Sequence, residues 1–316
     1  MQFKRSYMLT WPSQFKVFSI KSKDKSVIAT ISLLTLFALG SPAFAQSTIE
    51  ELKTKNLPNL SQSAKLLTSA DYHKEPVNLK HYKSNEKLVL IDSYNLAGES
   101  YYARTDKLNA PYYRCFASAP KKILLRQTAA QKLQKVNQKL AAHDLELFIF
   151  DGFRPVACQK DLWLYFLKQA KLNLPKSSEA EQVAYAARYC SNPNKYKNSD
   201  SMTWPTHCTG GAVDLTLRRK STGELLYMGS IFDDDSEVSH TDYFERKKGP
   251  NNQSSSELEA RANRRLLYWL MKSCGFENYH YEWWHYDYGN QMWLMNKKAS
   301  SLGFTQADEA FWGPSQ

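Results

Sequence analysis

Trp204-Pro205-Thr206-His207-Cys208-Thr209-Gly210-Gly211-Ala212-Val213-Asp214-Leu215-Thr216-Leu217 is the stretch on which the reading of this chain turns. It sets a histidine and an aspartate seven residues apart across a Gly-Gly pair. Fully extended, seven residues span roughly 23 Å, too far for two side chains to share one ion. Glycine reaches positive φ without steric cost, so the pair permits a sharp reversal that closes the gap. Ala212 to Leu217 then reads as a buried strand carrying Asp214 near its start. A carboxylate on an apolar strand is costly to bury unless it is paired or bound to a metal. His207 and Asp214 are therefore expected as two ligands of one cation.

A third ligand is found 71 residues beyond Asp214, in Tyr281-Glu282-Trp283-Trp284-His285-Tyr286. Catalytic zinc sites hold three N/O protein ligands and keep one position open. His207, Asp214 and His285 would be those ligands, with one zinc per chain. Glu282 would then be free as general base toward the reacting water. In a flat strand Glu282 and His285 would point to opposite faces, so a bend or a single helical turn is expected between them.

Working outward, the first 45 residues read as a signal peptide. Lys21, Lys23 and Lys25 lead into an apolar run from Val27 to Ala38, and Ala43-Phe44-Ala45 offers a small-x-small cleavage site before Gln46. The run is too short for a comfortable membrane span, although an uncleaved anchor is the alternative reading. Either way the remainder is expected outside the cytoplasm, periplasmic or secreted, with no stable membrane insertion after cleavage. Of the net charge of +11, the leader carries five, leaving +6 over 271 residues. That modest excess suits anionic cell-wall surroundings and argues against a nucleic-acid partner. Five cysteines are too few for a disulfide scaffold at this length. An oxidising compartment would allow up to two bridges. Cys208, beside His207, is an alternative soft ligand, disfavoured because adjacent residues rarely both ligate.

About 271 residues can bury one good core, so one domain is expected. Residues 46–86 are polar and poorly periodic and read as an N-terminal extension of loops, before a domain over 87–316. Lys87 to Asp92 reads as a first strand and Leu145 to Phe150 as a central one, stopped by Asp151-Gly152-Phe153-Arg154-Pro155. Pro120 to Ala142 keeps helical spacing through Leu125, Ala129, Leu133, Val136 and Leu140. Further helices are expected over Val156 to Leu172, Ser178 to Tyr189 and Glu257 to Lys272. The tyrosine-rich stretch from Tyr94 to Phe116 reads as ordinary packing or a cleft wall. An exposed excursion is expected from Asp233 to Ser256, before an aromatic strand from Tyr279 to Tyr288. Strands and helices mix without strict βαβ alternation, which favours an α+β class.

The ordered set Asp151-Gly-Phe-Arg154-Pro, His207-x6-Asp214-Leu-Thr-Leu, Met228-Gly-x-x-Phe-Asp233 and Glu282-Trp-Trp-His285-Tyr resembles the zinc D-alanyl-D-alanine dipeptidases. These are typified by the vancomycin-resistance dipeptidase and related to D,D-carboxypeptidases and hedgehog-like folds. The resemblance covers about Lys87 to Tyr288. It implies a central, mostly antiparallel sheet flanked by helices, with His207, Asp214 and His285 as zinc ligands and Glu282 as base. Arg154 would stabilise the transition-state oxyanion. Asp233 would hold the substrate's amino end, and Asp151 would assist at the substrate site by orienting Arg154. Pro205 departs from the family's frequent serine two positions before the first histidine ligand, and Cys208-Thr209 replaces its usual Ser-Arg pair. Taken alone, Arg154 could tie down a loop, His285 could be a packed histidine, and Asp233-Asp234-Asp235 could be a solvated face.

The function so implied is zinc-dependent hydrolysis of D-alanyl-D-alanine or a similar dipeptide in cell-wall peptide metabolism. A D,D-carboxypeptidase or endopeptidase acting on longer wall peptides is the nearest rival. A catalytically inactive wall-binding module is the rival from another class.

Overall fold

Ala212–Arg219 is buried over its first six residues, so both faces of the strand are covered. That is what an unbroken apolar run, as opposed to an alternating one, requires. The computed structural model describes residues 48–60, 71–187, 189–247, 253–300 and 304–315. The expected leader, 1–45, lies outside the described residues.

In chain order the elements are α1 (Ile49–Thr54), β1 (Leu88–Leu90), β2 (Ala97–Gly98), β3 (Leu124–Arg126), α2 (Gln127–Leu140), β4 (Leu145–Asp151), α3 (Val156–Asn173) and α4 (Glu179–Ala186). They continue with β5 (Ala212–Arg219), α5 (Tyr243–Arg246), α6 (Ser255–Ser273), β6 (Glu277–Asn278), β7 (His285–Asp287) and α7 (Gln291–Ser300). Five strands form one sheet in the order β2-β4-β5-β7-β6. Only the β2–β4 pair is parallel. β1 and β3 form a separate antiparallel pair. This is the α+β class with a mostly antiparallel sheet that the sequence led us to expect.

The core lies where the helices meet this sheet. Ala129, Leu133, Val136 and Leu140 of α2 join Leu147, Val213, Leu215 and Leu217 of the sheet. Leu266, Leu267, Leu270 and Met271 of α6 complete it. Burying one such aliphatic side chain is worth about 1.5–3 kcal/mol. Ser254 starts α6 with a capping box closed by Glu257, and Ser178 starts α4 in the same way with Glu181.

Three expectations change. The helix expected from Pro120 begins at Gln127, because Leu124–Arg126 pairs with Leu88–Leu90 and spends its backbone groups on that ladder. The loops expected over 46–86 include α1, capped by Thr48 and Glu51. Beyond α1, Arg265 and Trp269 of α6 donate to the carbonyls of Thr54 and Lys55, both at 3.0 Å. The aromatic strand expected over Tyr279 to Tyr288 shrinks to His285–Asp287, preceded by a turn. The five cysteines are free thiols. Among the described residues no helix is long and apolar enough to cross a membrane.

Candidate active site

Strand register builds the centre of the site. Asp151 on β4 faces Asp214 on β5, and Asp214 faces His285 on β7, so three adjacent strands carry them abreast. A register shift between Ile149 and Asp151 re-aims the end of β4 toward the same point. His207 arrives from the short helical turn Thr206–Thr209. Gly210 then takes φ +73°, and a Cβ on Gly211 would stand 2.4 Å from the Tyr288 carbonyl oxygen. The Gly-Gly pair therefore supplies both the reversal and the close backbone approach that bring His207 over Asp214.

Ligand atoms of His207, Asp214 and His285 all lie within 4.8 Å of one another, and all three side chains are buried. The outer ring nitrogens fix the tautomers. His207 Nδ1 sits 2.8 Å from the Gly152 carbonyl oxygen, which only accepts, so Nδ1 carries the proton. His285 Nε2 lies 2.9 Å from Asp287 Oδ2 and donates to it. The inner nitrogens, His207 Nε2 and His285 Nδ1, face each other at 3.2 Å beside Asp214. Asp214 Oδ1 is 3.0 Å from His285 Nδ1, and its Oδ2 is 3.3 Å from His207 Nε2. Two imidazole nitrogens and one carboxylate converging in this way are a donor set that suits a divalent metal ion.

The local field agrees. Burial pushes the Asp214 carboxyl up, but His207 and His285 outweigh it and hold the group well below the ordinary carboxylate range. Burial pulls His285 down, yet the Asp287 and Asp214 carboxylates lift it well above the ordinary histidine value. The same negative field that favours a proton there favours a metal cation. Cys208 is buried beside this group but is not one of its converging ligands, and burial raises its thiol to about 12.

Glu282 sits in the turn before β7. Its N–H donates to the Tyr279 carbonyl at 3.0 Å, while Asn278 Nδ2 donates to the carbonyls of both Glu282 and His285 at 3.0 Å. This is the bend the spacing required, and it puts Glu282 Oε2 3.8 Å from His285 Nδ1. The carboxyl lies deep in the pocket although 22% of its side chain is accessible. Burial, against the pull of His285, pushes it up to about 8.

Arg154 is buried beside Asp214. Its Nε donates to Asp151 Oδ2 at 2.8 Å, its Nη1 to Gln159 at 3.1 Å and its Nη2 to Tyr102 at 3.2 Å. Nη2 also reaches Asp214 Oδ2 at 3.4 Å. Arg154, His207, Asp214, Asp233, Glu282 and His285 all line one cavity of about 300 Å³. Asp151, read as a substrate-site residue that orients Arg154, does not line the cavity but stands bonded to Arg154, 3.4 Å from His207 Nδ1, as that orienting role requires.

Asp233 departs from the solvated face expected of an acidic run. Tyr102 and Tyr112 both donate to its Oδ2 at 2.8 Å, and its backbone takes φ +58°. Burial, reinforced by the Asp214 charge, raises it to about 7. Asp235 of the same run is exposed and accepts from Tyr185 at 3.0 Å. Sequence reasoning missed Tyr102, Tyr112, Gln159 and Asp287. Only Asp287 left a signal, since residues two apart on a strand share a face.

The sequence profile of the M15 peptidase family, described as D-Ala-D-Ala dipeptidase, matches residues 89–302. A D-alanyl-D-alanine dipeptidase of Enterococcus faecalis is 33% identical over 165 residues, 52% of this chain and 73% of that protein. One of Enterococcus faecium is 34% identical, covering 50% of this chain and 69% of that protein. One of Synechocystis is 27% identical over 226 residues, 69% of this chain and 82% of that protein. With the profile spanning more than half of its length, the chain belongs to the M15 peptidase family and is a metallopeptidase.

Proposed function

We propose that this metallopeptidase is a zinc enzyme that hydrolyses D-alanyl-D-alanine, or a near relative with a free amino end, to free amino acids. The observation that carries the reading is the convergence of His207, Asp214 and His285 beside Glu282 and Arg154 in one cavity. His207, Asp214 and His285 would hold one zinc ion per chain. Zinc bound there supplies Lewis acidity toward water and the scissile carbonyl. Glu282 accepts a proton from the attacking water and returns it to the leaving amine. Arg154, held rigid by Asp151, Gln159 and Tyr102, directs its guanidinium at the oxygen on which negative charge develops. Asp233 receives the substrate's ammonium: its Oδ2 accepts both tyrosine hydroxyls, which leaves Oδ1 for the ligand.

The position of Asp233 favours the dipeptidase over enzymes that trim longer wall peptides, because a carboxylate walls off the amino end of the cavity. The names of the relatives support the same substrate. The test is a product assay with zinc-loaded protein on D-Ala-D-Ala and on a wall pentapeptide. Release of free D-alanine from the dipeptide alone is expected. Faster release from the pentapeptide would shift the reading to a D,D-carboxypeptidase, and no cleavage of either would leave a binding module.

The leader supports action outside the cytoplasm, in wall-peptide metabolism. N-terminal sequencing of the exported protein should begin at Gln46, and a start at Met1 would replace cleavage with an anchor.

A further inference from the structure

The segment from Met228 to His240 carries Asp233 to the cavity with no regular strand beneath it, so something else must fix its course. Phe232 is one anchor, buried among Tyr101, Phe150 and Trp284. Both ends of the loop are held by a single side chain. Arg264, on α6, is only 1% exposed. Its Nε donates to the Met228 carbonyl at 2.7 Å, its Nη1 to that of His240 at 2.7 Å and its Nη2 to that of Val238 at 2.8 Å. One planar, rigid fork thus closes the loop at its neck with three differently aimed bonds.

The same neck grips the turn that carries Glu282. Trp283 N–H donates to the Ser239 carbonyl at 3.0 Å, and Ser239 Oγ donates to the Tyr281 carbonyl at 2.9 Å. Trp283 Nε1 donates to Ser230 Oγ at 2.9 Å, and Thr241 N–H to the His280 carbonyl, also at 2.9 Å. The Arg264 guanidinium also lies 5.9 Å from the Trp283 ring. Asp233 and Glu282 are therefore set relative to each other through a loop neck that bonds the Glu282 turn directly and is itself closed by one buried cation that does not line the cavity.

We infer that Arg264 is a positioning residue: it closes the neck of the 228–240 loop, which in turn bonds the Glu282 turn, and so fixes the distance from the amine-binding carboxylate to the base. This rests on the roles proposed above for Asp233 and Glu282. A substrate bound at its amino end then delivers its peptide bond to the chemistry in one register, which selects dipeptides with a free amine. Lysine at this position would keep the charge but present one nitrogen to three carbonyls.

The experiment compares Arg264→Lys with the wild type, both zinc-loaded, on D-Ala-D-Ala and on N-acetyl-D-Ala-D-Ala. The variant should keep its zinc. Its KM for the free-amine dipeptide should rise about tenfold, and its preference for that substrate over the acetylated one should fall by a similar factor. Equal losses on both substrates, or unchanged kinetics, would overturn the clamp. Hydrogen–deuterium exchange supplies a readout that needs no turnover. Exchange over 229–241 and 279–284 should rise in the variant while β5 stays protected; unchanged or uniformly raised exchange would count against the inference. Failure of the wild type to cleave either dipeptide would sink the proposed function and leave the exchange result to decide on Arg264. Ser230→Ala, which removes the Trp283 contact and a 3.3 Å bond to the Ile231 carbonyl, should shift selectivity in the same direction by a smaller factor, and it serves if Arg264→Lys does not fold.

Discussion

The two ends of the cavity are built in different ways. Asp214 and His285 lie abreast on adjacent strands, fixed by ladder hydrogen bonds and packed from both sides. Asp233 sits on a loop, in the left-handed region of φ, and is held by two tyrosine hydroxyls and by carbonyls pinned from behind. The sheet sets atoms to within the tolerance that metal ligation demands. On the roles proposed above, the loop sets where the substrate's amino end sits relative to that chemistry. Reaction type is, on those roles, written into the sheet and substrate choice into the loop, the usual division between a rigid scaffold and the segments it carries.

If that division holds, the largest losses come from the sheet. Asp214→Ala should abolish zinc binding and with it turnover, and the check is elemental analysis beside an activity assay. Equal metal content in variant and wild type would remove Asp214 from the ligand set. Chelation of the wild type should silence it to the same degree, and zinc should restore it.

Glu282 and Arg154 test the chemistry apart from the metal. Glu282→Gln should retain zinc and lose about 10²–10⁴-fold in kcat. Arg154→Ala should retain zinc and lose about 10²–10³-fold, also in kcat. If Arg154 merely ties down its loop, the variant will melt at a lower temperature with nearly normal rate. Loss of zinc from Glu282→Gln would make Glu282 a ligand.

Asp287→Asn probes the support behind the sheet. The fully buried Asp287 takes the His285 proton and is itself bonded by Asn290 at 2.6 Å. Removing such a partner weakens metal affinity by about 10–100-fold. A competition titration with a coloured chelator measures it, and unchanged affinity would mean that His285 is oriented by packing alone.

The smallest effect belongs to the loop. Tyr112→Phe deletes one of two donors to Asp233, worth about 0.5–1.5 kcal/mol, or a severalfold rise in KM. Zinc content and kcat should stay put. A fall in kcat equal to that of Arg154→Ala would show that the two ends of the cavity are not separable.

The metal-binding half of the site was legible in the sequence because its signals are local. An aspartate inside a buried apolar strand has few admissible fates, a Gly-Gly pair announces a reversal, and Glu282 and His285 are three apart. The main strands and the helices α3, α4 and α6 were legible for the same reason, since their periodicity is set by near neighbours. Chain order alone could not reveal what is joined across long separations. Tyr102 and Tyr112 meet Asp233 from more than 100 residues away, and nothing in a tyrosine-rich stretch distinguishes a packing ring from a donor aimed at one carboxylate. Leu124–Arg126 has helical spacing, yet its partner Leu88–Leu90 turns it into strand. How deep Asp151 and Asp233 lie was equally illegible in chain order. Depth is a property of the packed assembly, so tertiary structure alone put the first behind Arg154 and brought the second into the cavity.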